Sequence, residues 1–249
     1  MPRSLLGTSS QSGDAQLAHR GWLSRTCHLQ GQWHGGRAQS HGHVHAHVLA
    51  SSIEASRSNA VTVTLVVDAA RYGAAPRFPA YLESVVKNAE LWRAVYRTAT
   101  VSTVAIERLR SLSGEWRLLA LSEEWCGDCV STLPVIGRLA EQAGLDLRIL
   151  GRDANPDLRN AHLTSGTHSI PVVMVLDADF LERAWWGPRP AVVQRWYRNE
   201  GLMLPKEERS RRKRAWYARD RGRTTVAEMV DAIERAVRRA KSIEQRAEG

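Results

Sequence analysis

Cys126 and Cys129 stand two residues apart at the junction of two apolar segments, and this junction constrains the fold more than any other feature of the chain. Ahead of it, Trp116 to Leu121 is an apolar run bounded by Gly114 and the polar Ser122-Glu123-Glu124, as expected of a buried central strand. Behind it, Val130 to Ala143 reads as a helix that contains Pro134 and is closed by Gly144. A dithiol where a strand gives way to a helix is the arrangement that thiol–disulfide chemistry requires. Unpaired N–H groups and the dipole at the helix N-terminus favour an anion and lower the pKa of the first thiol, so Cys126 is the expected nucleophile. Cys129, one turn further in, is the expected resolving thiol, which attacks the mixed disulfide on Cys126, releases the reduced product and closes the Cys126–Cys129 disulfide. The competing use of such a pair is a closed zinc site. That needs four ligands, and only Cys27 and distant histidines remain to complete it.

The rest of the pattern extends the junction into an α/β domain. Leu145 to Leu150 reads as a strand, Pro156 to Leu163 as a short helix with Asn155 as its N-cap, and Val172 to Leu176 as a β-branched strand. Asp177-Ala178-Asp179 then turns the chain into Leu181 to Trp186. The order strand, helix, strand, helix, strand, strand, helix describes a sheet covered on both faces. Upstream, Val61 to Val67 is a β-branched run that adds a strand, and Gly73, Pro76 and Pro79 mark an irregular connection. Apolar residues recur at helical spacing from Ala80 to Leu112 and predict two or three helices leading into the domain. Residues 1–59, rich in Ser, Gly, His, Gln and Arg, have no sustained apolar period and are expected to be a disordered tail. The expected layout is a tail over 1–59 and a domain over 60–249, divided into a helical extension (78–112), a core (115–190), a basic helical insert (195–223) and a final helix (225–240), of which Val226 to Val237 is the clearest part.

With these elements in place, Trp125-Cys126-Gly127-Asp128-Cys129 resembles the active-site run of the thioredoxin family, and within it the bacterial thioredoxin-like proteins with a WCGDC-type motif. The likeness covers roughly Glu115 to Arg189 and the final helix. Pro134 matches the proline that kinks the family's active-site helix. Ile170-Pro171 matches the family's Ile/Thr/Val-Pro, whose proline is cis, faces the disulfide and offers backbone groups to a substrate strand. Gly187 matches a small residue flanking the same groove. The resemblance implies a thioredoxin-like fold, a central mixed sheet flanked by helices, with a redox-active Cys126/Cys129 pair. It also implies substrate contacts from Trp125, Gly127, Asp128, Ile170, Pro171 and Gly187. Two departures stand out. The family's buried acid, which assists proton transfer, is replaced by Ala120, so slower turnover or substitution by a nearby Glu is expected. Asp128 stands where proline is usual, and a carboxylate beside Cys126 is expected to oppose thiolate formation and make the protein a better reductant.

The remaining features set limits on function. Three cysteines are too few for a secreted disulfide framework, and no apolar stretch approaches the roughly 18 to 20 residues of a membrane-spanning helix. A reducing, cytoplasmic setting without membrane contact is expected. The alternating His41, His43, His45 and His47 would share one side of an extended chain. They are read as a tail with adventitious nickel or zinc affinity, not a metal site. The net charge of +9 favours polyanions or acidic partners. Much of it lies between Arg195 and Arg223, interleaved with Trp196, Tyr197, Trp216 and Tyr217, a pattern that suits nucleic acid. It also suits helices whose aromatics pack on the domain while their charges face water, which is the preferred reading. The functional expectation is a thiol–disulfide oxidoreductase that needs no bound cofactor, acts on protein or small-molecule disulfides and takes electrons from a separate reductase. The alternative is a thioredoxin-fold binding module whose basic insert contacts nucleic acid or an acidic protein.

Overall fold

Residues 67–247 are described by the computed structural model. The readings made for residues 1–59, including Cys27 and the four alternating histidines, lie outside them, as does all of the upstream strand except Val67. Val67 is buried and donates its N–H to the Phe180 carbonyl at 3.0 Å.

Helices precede the sheet, and they begin earlier than the hydrophobic period indicates. The expected irregular connection contains α1 (Ala69–Ala74), which Asp68 caps by accepting from the Ala70 N–H. α2 (Phe78–Ser84) carries Pro79 in its first turn, where the missing N–H is no loss. α3 (Ala89–Thr98) and α4 (Thr103–Arg110) complete the extension. The sheet and its connections follow as β1 (Arg117–Ser122), α5 (Gly127–Ala143), β2 (Asp146–Gly151), α6 (Pro156–Ala161), β3 (Val172–Leu176) and β4 (Glu182–Trp186). The strand order is β2-β1-β3-β4, with β1 and β2 parallel and the other pairs antiparallel. The chain continues through α7 (Ala191–Asn199), α8 (Lys206–Asp220) and α9 (Arg223–Ala247). The basic insert is thus two helices, and the final helix is longer than its apolar stripe because Arg223-Thr224-Thr225 precede the stripe and a largely polar run, Arg238 to Ala247, follows it. Asn155 precedes α6 without capping it. Its side chain instead accepts from Arg71 and donates to the Gly151 carbonyl, bonds that a local pattern cannot anticipate.

The register assigns the two faces of the sheet. Ala120 pairs with Val173, which pairs with Trp186, and the Trp186 indole donates to Glu228 of α9 at 2.8 Å. Strand alternation puts Arg117, Leu119, Met174 and Trp185 on the opposite face. There the guanidinium of Arg117 stacks on Phe180, and Trp185 meets His162 at the end of α6 edge to face. Every residue of β3, and all but the first of β1, is buried, so both layers are complete. α5 packs against α3, α4 and α9. Gly137 in the middle of α5 lets the Phe78 ring of α2 rest where a side chain would otherwise stand.

Candidate active site

β1 delivers the chain to the dithiol, and α5 begins one turn earlier than its apolar run because the motif itself forms the first turn. Cys126 is the N-cap residue, in an extended conformation, and Gly127, Asp128 and Cys129 follow with helical geometry. Both cysteines are free thiols, Cys126 half-buried and Cys129 without exposed surface. The two thiols differ in acidity. Cys126 is lowered to about 7, chiefly by the hydrogen bond it receives from Cys129, with the backbone N–H groups of Cys129 and Asp128 adding to the effect against burial and the Asp128 charge. Burial, reinforced by that same donation to Cys126, pushes the Cys129 thiol well above its ordinary value. The outer sulfur is therefore about half thiolate at neutral pH, while the inner one holds its proton.

The loops expected around the pair do gather there. Cys126 Sγ lies 3.6 Å from the Ile170 carbonyl oxygen, the Ile170–Pro171 peptide is cis, and both residues are buried. Gly187 has φ +137°, and a Cβ there would collide with the Pro171 carbonyl oxygen, so glycine is required for this close approach. Trp125 is 51% exposed, with the Arg152 guanidinium 5.3 Å from its ring centroid, and Gly127 is exposed.

Asp128 departs from the expectation. Its carboxylate neither lines a substrate groove nor faces water: it is 4% exposed and its hydrogen bonds are committed within the protein. Oδ2 accepts from Arg189 Nη2 at 2.8 Å and Lys213 Nζ at 2.7 Å, and Oδ1 accepts from the Tyr217 hydroxyl at 3.0 Å. Burial alone would raise its pKa, but the charges of Arg189 and Lys213 outweigh burial and hold it below the usual carboxylate range. Burial, together with the Asp128 charge, raises Tyr217 well above an ordinary phenol. One carboxylate faces two cations, so the cluster carries a net positive charge one turn from Cys126, opposite in sign to what Asp128 alone implies. In the sequence Arg189 is marked only as the end of the thioredoxin-like stretch. Lys213 and Tyr217 were read only as members of a basic, aromatic-rich segment. Their spacing of four puts them on one side of α8, the one local sign that they act together.

A second unforeseen contact comes from the helical extension. The Glu124 carboxylate accepts from the backbone N–H groups of Val86 and Lys87 at 3.0 and 2.8 Å, and the Glu124 carbonyl accepts from Asn88 Nδ2 and Trp92 Nε1, each at 3.1 Å. The turn immediately before Trp125 and Cys126 is thereby fastened to the α2–α3 connection, with Trp92 fully buried beneath it. At the position of the family's acid, Ala120 faces the core. The polar groups near Cys129 are instead Ser122, which influences its acidity, and Tyr81, whose hydroxyl is 3.3 Å from Ser122 Oγ. Among the described residues no group of three or more His, Cys, Asp or Glu is arranged to hold a metal ion, and no helix is long and apolar enough to cross a membrane.

A mixed four-stranded sheet with a Cys-x-x-Cys pair at the head of its first crossover helix, faced by a cis-proline loop, defines a thioredoxin-like α/β protein. The family model described as thioredoxin matches residues 75–208, just over half of the chain, and the chain belongs to that family. Among solved structures, it is similar to a protein of unknown function from Pseudomonas aeruginosa. That match has 22% identity and a TM-score of 0.52, covering 66% of this chain and 94% of the other. It is also similar to an HIV epitope scaffold at 22% identity and a TM-score of 0.51, covering 68% of this chain and 98% of the scaffold. At these identities the likeness concerns the fold. No curated protein matches the sequence.

Proposed function

We propose that this protein is a thiol–disulfide oxidoreductase of the WCGDC type, reducing protein or small-molecule disulfides through Cys126 and Cys129. The observation that carries the reading is the placement of the two thiols, half-buried Cys126 at the head of α5 with its sulfur 3.6 Å from the Ile170 carbonyl oxygen of the cis-proline loop and buried Cys129 one turn behind it; the lowered Cys126 and raised Cys129 agree with it. In the first step the Cys126 thiolate attacks one sulfur of the substrate disulfide, a mixed disulfide forms, and the other substrate sulfur leaves as a thiolate and takes up a proton. Cys129 then loses its proton and attacks Cys126 Sγ. The second substrate thiolate is released, Cys126–Cys129 closes, and two electrons have passed to the substrate. A separate dithiol reductase must return them, which suits a reducing compartment such as the cytoplasm. The buried Cys129 is poised for the intramolecular step because bulky substrates cannot reach it. The exposed Trp125 and Gly127, with the backbone of Ile170 and Pro171, form the surface on which a substrate strand would lie.

The test is a trapping experiment. Cys129→Ser should accumulate mixed disulfides on Cys126, and Cys126→Ser should abolish both trapping and the reduction of a model disulfide. An empty trap together with undiminished activity in Cys126→Ser would overturn the reading.

A further inference from the structure

We propose that the groove between α3, α5 and α8 binds a small anionic amphiphile, a molecule with one apolar chain and a carboxylate or phosphate head. The cavity there is about 620 Å³, within the range of about 300–1,000 Å³ that small-molecule sites occupy. Its walls are largely apolar, built from Leu91, Val95 and Ala99 on one side, Val135 on the floor and Ala218 on α8. Leu91 is 48% exposed, an apolar side chain left facing open space. Gly222 closes the floor, where a Cβ would come within 2.6 Å of Val135 Cγ1.

The rim supplies the charge. Arg214 and Arg221 line the same cavity, and both are exposed. Three of their neighbours on α8 are committed elsewhere, Arg211 and Arg212 to Glu208 and Lys213 to Asp128, while Arg209 and Arg219, which also lack a carboxylate partner, do not line the cavity. No carboxylate among the described residues lies within ion-pairing distance of Arg214 or Arg221. Arg214 and Ala218 lie one turn apart on one face of α8, and Arg221 lines the same cavity from just past the end of the helix, so two guanidinium groups without a carboxylate partner flank the apolar opening. Arg221 also sits at φ +54° where α8 ends, a left-handed position that glycine adopts without the roughly 1–2 kcal/mol that a Cβ costs. An arginine at that position keeps a cation at the rim. Apolar walls select the chain of the ligand, and the two cations select its anionic head.

This site requires neither cysteine, so it is tested independently of disulfide exchange. The full-length protein is titrated calorimetrically, below micelle-forming concentrations, with decanoate, decyl phosphate, decanol and acetate. Saturable binding of decanoate or decyl phosphate is expected, at least tenfold tighter than decanol or acetate, and the tighter of the two anions identifies the preferred head. The double variant Arg214→Gln/Arg221→Gln should bind at least tenfold more weakly. Arg195→Gln, an exposed cation on α7, should not, and Cys126→Ser should bind like the parent. Ala218→Trp, an exposed position that fills the groove, should abolish binding while circular dichroism remains native. The proposal is overturned if no anion binds, if decanol binds as tightly as decanoate, if Arg195→Gln weakens binding as much as the double variant, or if Ala218→Trp leaves binding intact.

Discussion

Replacing Asp128 by Asn isolates the charge at the centre of the site, because the side chain keeps its shape and retains an acceptor for Tyr217. Arg189 is 7% and Lys213 17% exposed, so the substitution leaves two largely buried cations without a counter-ion. Breaking a buried ion pair from one side costs about 3–5 kcal/mol, a large part of the roughly 5–15 kcal/mol that holds a typical domain together. The second effect is on the thiol. In the native cluster one negative charge partly offsets two positive ones; without it the full field of Arg189 and Lys213 favours the Cys126 thiolate, whose pKa should fall below its present value of about 7. Each unit corresponds to about 1.4 kcal/mol, or about 30 mV if passed wholly into the two-electron couple, and the reduction potential should rise. Lys213→Met should act in the opposite direction on the thiol, since it leaves a neutral Asp128–Arg189 pair. The pH dependence has a defined sign. Asp128 is held below its ordinary value near 3.9, so its stabilisation is complete above that pH and is lost as pH falls through the depressed folded value. The gap in stability between parent and Asp128→Asn should therefore be constant from neutral pH down to about 4 and shrink below it. Urea unfolding across pH, ultraviolet titration of the thiolate and equilibration with glutathione read these three quantities. An Asn variant within about 1 kcal/mol of the parent at neutral pH, or with an unchanged or lower potential, would refute this account of the cluster.

Three further outcomes follow from the same geometry. Cys129→Ala removes the strongest influence holding Cys126 down, so the pH midpoint for alkylation of Cys126 should climb from about 7 towards an ordinary thiol near 8.5, whereas Cys129→Ser, which keeps a donor, should move it less. Gly187→Ala forces a methyl group against the Pro171 carbonyl at a backbone angle glycine prefers, and should lower the unfolding midpoint and slow disulfide reduction together; stopped-flow rates and thermal scans check it. His162 is 3% exposed and bonded to Glu182 at 2.8 Å, and although burial opposes its charge, Glu182 raises its pKa. The pair should stabilise the fold fully below about pH 6.5 and lose its contribution as pH rises through the higher folded value, so His162→Phe should be most destabilising in mildly acidic solution by urea unfolding.

The amino-acid sequence by itself determined the parts of this protein that repeat locally or match a family run. β3 was legible to the residue because Val172 to Leu176 is a short run rich in β-branched residues bounded by Pro171 and Asp177, and the end of α5 because Gly144 stops it. The dithiol, its helix-start position and the loops at Ile170-Pro171 and Gly187 were legible from the motif and the thioredoxin resemblance. The extension was legible as helices but not in its beginning, since Pro79 reads as a breaker unless it is known to occupy a first turn. What only the tertiary structure decided is the electrostatics of the site. Asp128 as a residue type predicts a charge opposing Cys126, and that opposition persists in the fold; what Arg189, 61 positions on, and Lys213 and Tyr217, 85 and 89 positions on, decide is that the carboxylate is buried and paired instead of facing water. Glu124 likewise reads as a solvated turn residue until Val86, Lys87, Asn88 and Trp92 close on it. A charge acts through distance in space and through the desolvation around it, and neither is written in the local order of residues.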